Sequence, residues 1–318
     1  MKDQFGRQVK YLRLSITDRC NLRCRYCMPE MGIPKLNHQT VLSLEEYAQM
    51  VETFVELGVE KIRLTGGEPL VRKGIVDLVK QIGSNPKVKD FAMTTNGILL
   101  AEYAQALKDA GLQRVNVSLD TLDPKKFEYM TRGGKLEDVL QGIEEAKRVG
   151  LTPIKINVVL VGGFNEDEIA DFVNLTKDDA IDVRFIELMP IGEVALWSKS
   201  QFLPNDTILT LVPELVPMLS QDPASPAKYY KLPNGKGKVG LISPISCKFC
   251  SDCNRVRLTS EGKLKYCLHA DDEVDLAPFI NDREQMVNTI KKYVFTKPES
   301  HQIGVLATVK RNMYQVGG

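Results

Sequence analysis

The chain predicts an α/β fold: an incomplete (β/α)6 barrel of TIM type, with a smaller C-terminal portion closing its open side. Three observations carry that expectation. Short β-rich runs alternate with helical patterns through the first two thirds of the 318 residues, as parallel strands with right-handed crossovers require. Six such units are readable, too few to close an eight-stranded barrel. Near residue 190 the texture changes: Pro190, Pro204, Pro213, Pro217, Pro223, Pro226, Pro233 and Pro244 interrupt any long periodicity. The expected parts are therefore residues 1–190 as the barrel core and 191–318 as the C-terminal portion.

The strands are expected at 10–17, 60–65, 91–95, 114–119, 153–161 and 182–188, with helices near 43–57, 73–83, 100–110, 135–149 and 166–177. Ser43 and Glu46 form a capping box ahead of the first helix, and Gly58 and Gly150 sit where helix C-caps belong. Residues 234–240 read as a hairpin turn. Along the strands the two faces differ. Leu12, Leu14 and Ile16 oppose Arg13, Ser15 and Thr17; Ile62 and Leu64 oppose Lys61, Arg63 and Thr65. Val115, Val117 and Leu119 oppose Asn116, Ser118 and Asp120, and Lys155 and Asn157 alternate with Ile154, Ile156 and Val158. Closed barrels fill their interior with branched apolar side chains. If the apolar faces here pack on the outer helices, the interior is polar, basic and occupied by a ligand. A sheet with one solvated face is the plainer alternative.

Composition narrows the class. Hydrophobic residues make up 43% and charged residues 26%, ordinary for a globular enzyme. A formal net charge of +1 argues against a nucleic-acid coat or an anionic membrane surface, so an anionic ligand must be drawn by a local cluster. No apolar run has the length of a membrane span, and the first residues lack a signal-peptide core. A cytoplasmic, reducing setting is expected. There, seven cysteines, three in one set and four in another, are metal ligands or reactive thiols before they are disulfides.

Cys20, Cys24 and Cys27 follow the first strand, at the end where α/β barrels keep their chemistry. Their spacing lets three thiolates converge on one polynuclear centre. Three ligands on a [4Fe–4S] cluster leave one iron open for a small chelating molecule; a zinc knuckle completed by a residue such as His38 is the alternative. The later set, Cys247, Cys250, Cys253 and Cys267, is ambiguous on spacing. Four thiolates suit a structural zinc or a fully ligated electron-transfer cluster, and any three suit a second open cluster.

The Cys-x3-Cys-x2-Cys loop, with Tyr26 before its third cysteine and Gly-Gly-Glu-Pro at 66–69, resembles the radical S-adenosylmethionine superfamily. A narrower likeness runs from Leu12 to Gly318. The stretches LRLSITDRCNLRCRYCMP, KIRLTGGEPLVR, TTNG, RVNVSLDTLD, KINVV, VRFIELMPIG, FCSDCNRVRLTSEGKLKYCL and MYQVGG resemble the GTP 3′,8-cyclase family of molybdenum-cofactor biosynthesis. The resemblance implies two [4Fe–4S] clusters, one on Cys20, Cys24 and Cys27, the other on Cys250, Cys253 and Cys267. S-adenosylmethionine would chelate the open iron of the first and contact Tyr26, Gly67, Ser118 and Met189. GTP would meet the second through guanine and be held by Arg13, Arg63, Thr94, Lys155, Arg255, Val256 and Arg257, with Lys61 and Arg184 as further candidates. Arg13 and the terminal Gly317 and Gly318 would serve turnover directly. Cys247 stands outside the family pattern, as a bystander or a cap on the open iron.

The reaction implied uses a 5′-deoxyadenosyl radical to remove the ribose 3′ hydrogen of GTP, closing C3′ onto guanine C8 to give 3′,8-cyclo-7,8-dihydroguanosine triphosphate. It also implies an external electron donor, a homodimer and hand-off to a pyranopterin monophosphate synthase, without membrane or nucleic acid. Two rivals remain: another radical enzyme with an auxiliary cluster acting on a peptide or small molecule, and a zinc-stapled nucleotide- or RNA-binding protein. His38, His269 and His301 receive no role.

Overall fold

Six β/α units build the core in the order the sequence suggests. The computed structural model describes residues 1–33, 40–220, 222–301 and 309–317; His38 and Gly318 lie outside the described residues. The core runs β1 Tyr11–Ser15, α1 Leu44–Glu56, β2 Lys61–Thr65, α2 Ile75–Gly83, β3 Asp90–Thr95, α3 Leu100–Asp109, β4 Arg114–Ser118, α4 Pro124–Thr131, α5 Leu136–Arg148, β5 Lys155–Leu160, α6 Ile169–Asp178 and β6 Asp182–Glu187. Then come α7 Ala195–Ser200, α8 Asp206–Leu211, β7 Val216–Pro217, β8 Ala227–Lys231, β9 Val239–Ile242, β10 Arg255–Leu258, β11 Lys263–Lys265, β12 Val274–Asp275, α9 Arg283–Phe295 and α10 Met313–Val316.

The capping box at Ser43 forms as expected, with both reciprocal bonds present. Helix α4 is an addition to the expected elements. Its signals are local: Asp123 caps the N–H groups of Lys125 and Lys126, and Pro124 takes the first turn, where its missing N–H costs nothing.

All twelve strands join one sheet, ordered β12-β11-β10-β1-β2-β3-β4-β5-β6-β9-β8-β7. The C-terminal portion therefore splits and extends both edges of the core. Strand β10 pairs parallel with β1, and β9 pairs parallel with β6. Antiparallel partners then finish each side: β11 and β12 beyond β10, β8 and β7 beyond β9. The turn between β8 and β9 is the expected hairpin, with Asn234 in the left-handed region at φ 62°. The sheet stays open, because its terminal strands do not pair with each other.

One face packs on the helices. Leu12, Leu14, Ile62, Leu64, Phe91, Val115, Val117 and Ile156 are buried with Phe54, Leu78, Leu107, Ile143 and Phe172 of the helices in a continuous apolar core. Aliphatic side chains at every second strand position thus account for the burial. The opposite face carries the charged positions.

Candidate functional site

Strand register lines up the cations of the inner face. Arg13 of β1 stands level with Arg257 of β10 on one side and Arg63 of β2 on the other. One step back, Tyr11 lies between Arg255 and Lys61. On the far side Thr94, Asn116 and Lys155 are successive neighbours across β3, β4 and β5. Arg184 of β6 lies beside Asn157 and donates to Asn116 Oδ1 at 2.9 Å. The sequence-selected cations Arg13, Lys61, Arg63, Lys155, Arg184, Arg255 and Arg257 therefore share one concave face. Val256 does not: its side chain is fully buried in the apolar core.

Two of the seven already hold carboxylates. Lys61 pairs with Asp222 at 2.7 Å, and Lys155 with Asp182 at 3.3 Å. The arginines are less well matched. Arg63 Nε, Arg184 Nε and Arg255 Nη2 are buried donors without an acceptor among the described residues. Burial, then the charges of Arg184 and Arg114, push the Arg63 guanidinium down to about 10. Burial and Arg257, with Arg63 and Arg255 behind it, push Arg13 well below its ordinary value. Mutual repulsion and these buried donors are what a polyanionic ligand would relieve.

Three further residues belong to this face. Arg114 pairs with Asp90 at 2.7 Å and reaches Asn116. Tyr11 lies under the Arg63 guanidinium, 5.4 Å from its carbon, and Tyr229 lies 5.9 Å from Lys155 Nζ. Arg114 has the same strand parity as Asn116, so alternation could have found it. Tyr229 could not be found that way, since its placement depends on β8 pairing with the distant β9.

The first cysteine loop sits at the C-terminal end of β1. Cys24 O accepts from the N–H groups of Cys27 and Met28 at 2.9 and 3.0 Å, a tight turn that brings the later thiols together. Burial and neighbouring thiols push Cys24 well up, and burial with Cys20 pushes Cys27 up to about 12. Cys20 is pushed up to about 11 by burial and then Glu68, so all three thiols need nearby cations to ionise, as a metal centre provides. The loop is locked from two sides. Gly67 donates its N–H to Thr17 O at 2.7 Å and lies so close that a Cβ there would collide with Arg19 O. Buried Glu68 accepts from Leu70 N, Thr95 Oγ1 and Asn96 N, and Asn96 Nδ2 reaches Cys20 Sγ at 3.7 Å. Glu68 and Asn96 were not among the expected residues; both lie within the quoted motifs.

Tyr26 donates to Asp120 Oδ2 at 2.7 Å and shares a small cavity with Cys24, Asn96, Ser118, Asp120 and Thr121. Met189 stands apart from that cavity. It packs against Ile191 and Val309, with its sulfur 3.1 Å from His269 Nε2.

In the second set, Cys253 donates its N–H to Cys250 O at 3.1 Å, and Cys267 Sγ accepts from His269 N at 3.4 Å. Burial raises Cys267, and the charges of Cys253 and Cys250 act in the same direction. Cys247 is exposed, with Lys228 Nζ 3.2 Å from its sulfur. Among the described residues, no three His, Cys, Asp or Glu side chains converge on a single ion position.

The chain's last described residues enter the same cleft. Arg257 Nη1 donates to Val316 O at 3.2 Å and also to Gly317 O. Gly317 has φ 71°, and a Cβ there would collide with Thr65 Oγ1. Arg311 anchors the segment through Glu273 at 2.8 Å and Glu261 at 2.7 Å.

Residues 14–176 match the radical SAM superfamily, and residues 181–303 match Molybdenum Cofactor Synthesis C. A GTP 3′,8-cyclase of Peptoclostridium acidaminophilum is 56% identical over 317 residues, covering 99% of this chain and 98% of its own. The GTP 3′,8-cyclase of Alkaliphilus metalliredigens is 53% identical over 324 aligned positions, covering 100% of each chain. Among solved structures, Streptococcus suis SuiB bound to precursor peptide SuiA superposes with a TM-score of 0.56 at 15% identity, over 90% of this chain and 67% of that one. At that identity the likeness is one of fold alone. By full-length identity to its relatives, this chain belongs to the GTP 3′,8-cyclase family of the radical SAM superfamily.

Proposed function

We propose that this chain converts GTP into 3′,8-cyclo-7,8-dihydroguanosine 5′-triphosphate, the first step toward the molybdenum cofactor. The observation that carries the substrate side is the level row Arg257–Arg13–Arg63, with Arg63 Nε, Arg184 Nε and Arg255 Nη2 buried and without an acceptor among the described residues. A triphosphate presents planar sets of oxygens that arginine forks bind bidentately.

In this reading Cys20, Cys24 and Cys27 hold one [4Fe–4S] cluster with an iron left for S-adenosylmethionine. Cys250, Cys253 and Cys267 hold the second, facing guanine. Loaded with both cofactors, the site gains a source of 5′-deoxyadenosyl radical and of electrons. The protein's own residues bind, orient and exclude water. Tyr26, fixed by Asp120, and Ser118 border the S-adenosylmethionine pocket, with Gly67 and Met189 as further contacts. Arg13, Arg63, Arg255 and Arg257 hold the phosphates, joined by Thr94 and Arg184. Lys61 and Lys155 join them by trading their carboxylates for phosphate. Val256, buried as it is, contributes through backbone. Gly317 lines the cleft beside the reacting ribose, and Gly318 serves turnover with it.

The reading carries with it a cytoplasmic homodimer, an external electron donor and transfer of product to a pyranopterin monophosphate synthase. No described helix is long and apolar enough to cross a membrane. The test is anaerobic reconstitution with iron and sulfide, then incubation with reductant, S-adenosylmethionine and GTP. The expected products are 5′-deoxyadenosine and a cyclised nucleotide. A colourless zinc protein, or cleavage of S-adenosylmethionine indifferent to GTP, would sink the proposal.

A further inference from the structure

Lys297, just past the end of α9, is 3% exposed. Its ammonium donates to Arg255 O at 2.6 Å, to Tyr266 O at 2.9 Å and to Cys253 Sγ at 3.3 Å. Among the described residues no carboxylate lies within ion-pair distance of it. A buried ammonium without a carboxylate is costly unless another anion meets it, and the anion within reach is the sulfur of Cys253.

The two carbonyls have positional meaning. Arg255 opens β10 two residues after Cys253, and Tyr266 follows β11 one residue before Cys267. These strands pair antiparallel, with Arg257 opposite Lys265, so one ammonium pins both chain ends from which these two cysteines leave. The third cysteine is held through the same segment. Arg7 donates to Cys250 O at 2.7 Å, to Glu299 O at 2.9 Å and to Pro298 O at 2.6 Å.

We infer that Lys297 is a positioning residue of the second metal centre: its charge compensates the Cys253 thiolate, and its remaining donors hold the β10–β11 ends in register. A fixed positive charge beside a thiolate ligand favours the reduced, more negative cluster and raises its reduction potential. This inference rests on the proposal that Cys250, Cys253 and Cys267 hold a cluster.

The test compares the wild-type chain with Lys297→Gln, which keeps donors for the carbonyls but loses the charge, and Lys297→Met, which loses both. Each is reconstituted anaerobically, its iron and sulfide are counted, and its two midpoint potentials are followed by electron paramagnetic resonance. Lys297→Gln is expected to keep its iron, with the second midpoint shifted negative and the first unmoved. Lys297→Met is expected to lose the second cluster's share of iron. Wild-type midpoints in a fully loaded Lys297→Gln protein would overturn the inference. So would a Lys297→Gln chain that no longer folds without metal, because the lysine would then be a staple of the fold. Wild-type protein holding a single cluster would instead refute the underlying two-cluster proposal.

Discussion

Among the residues proposed to bind the triphosphate, Arg63 has the most distinctive surroundings. It is level with Arg13, lies over Tyr11, and has an Nε without an acceptor among the described residues. Arg63→Ala is expected to weaken GTP binding by tenfold or more, about 1.4 kcal/mol, measured by titration calorimetry, while S-adenosylmethionine is still cleaved. Arg63→Lys is expected to recover part of that loss, because a point charge lacks the guanidinium fork. Equal loss of both activities would remove Arg63 from the phosphate site. Gly317 is the second residue on which the proposed function can be tested. Its left-handed φ and the wall at Thr65 leave no room for a side chain. Gly317→Ala, or removal of Gly317 and Gly318 together, is expected to abolish product while leaving iron content and GTP affinity unchanged. Product chromatography beside calorimetry checks this.

At the scale of elements, the loop after β2 is a wedge for the loop after β1. Gly67 touches backbone there, so Gly67→Ala must push the first cysteine loop aside. It is expected to cost roughly half of the reconstituted iron, one cluster of two, with the second centre's spectrum intact. The strands themselves are held by their outer face. Phe185 of β6 meets Phe172 of α6 edge-on, with ring centroids 6.3 Å apart. Phe185→Ala is expected to destabilise the metal-free protein by about 3–5 kcal/mol, read by urea denaturation. The β/α order was legible because every core strand pairs with its successor and its alternation survives in the sequence. Helix α4 was missed because it is short and polar, although Asp123-Pro124 announced its start. Arg114 was missed although its parity placed it on the inner face.

For the whole molecule, the legible part was the order of the six core strands. The route by which the remainder completes the sheet was not. Strands β9 and β10 are separated by a short cysteine-bearing loop yet attach to opposite edges, β6 and β1. Pairings between elements so distant in sequence leave no local periodicity to read. That topology brings Arg257 level with Arg13 and Arg255 level with Tyr11. It also explains how a chain with net charge +1 can hold a strongly cationic cleft: the compensating carboxylates sit mostly elsewhere.

If the two proposed centres act on a single GTP held between them, the adenosyl radical takes the ribose 3′ hydrogen. A single turnover with GTP carrying deuterium at that position reads this out. The expected result is 5′-deoxyadenosine one mass unit heavier, formed together with the cyclised nucleotide. Unlabelled 5′-deoxyadenosine accompanying that product would contradict it.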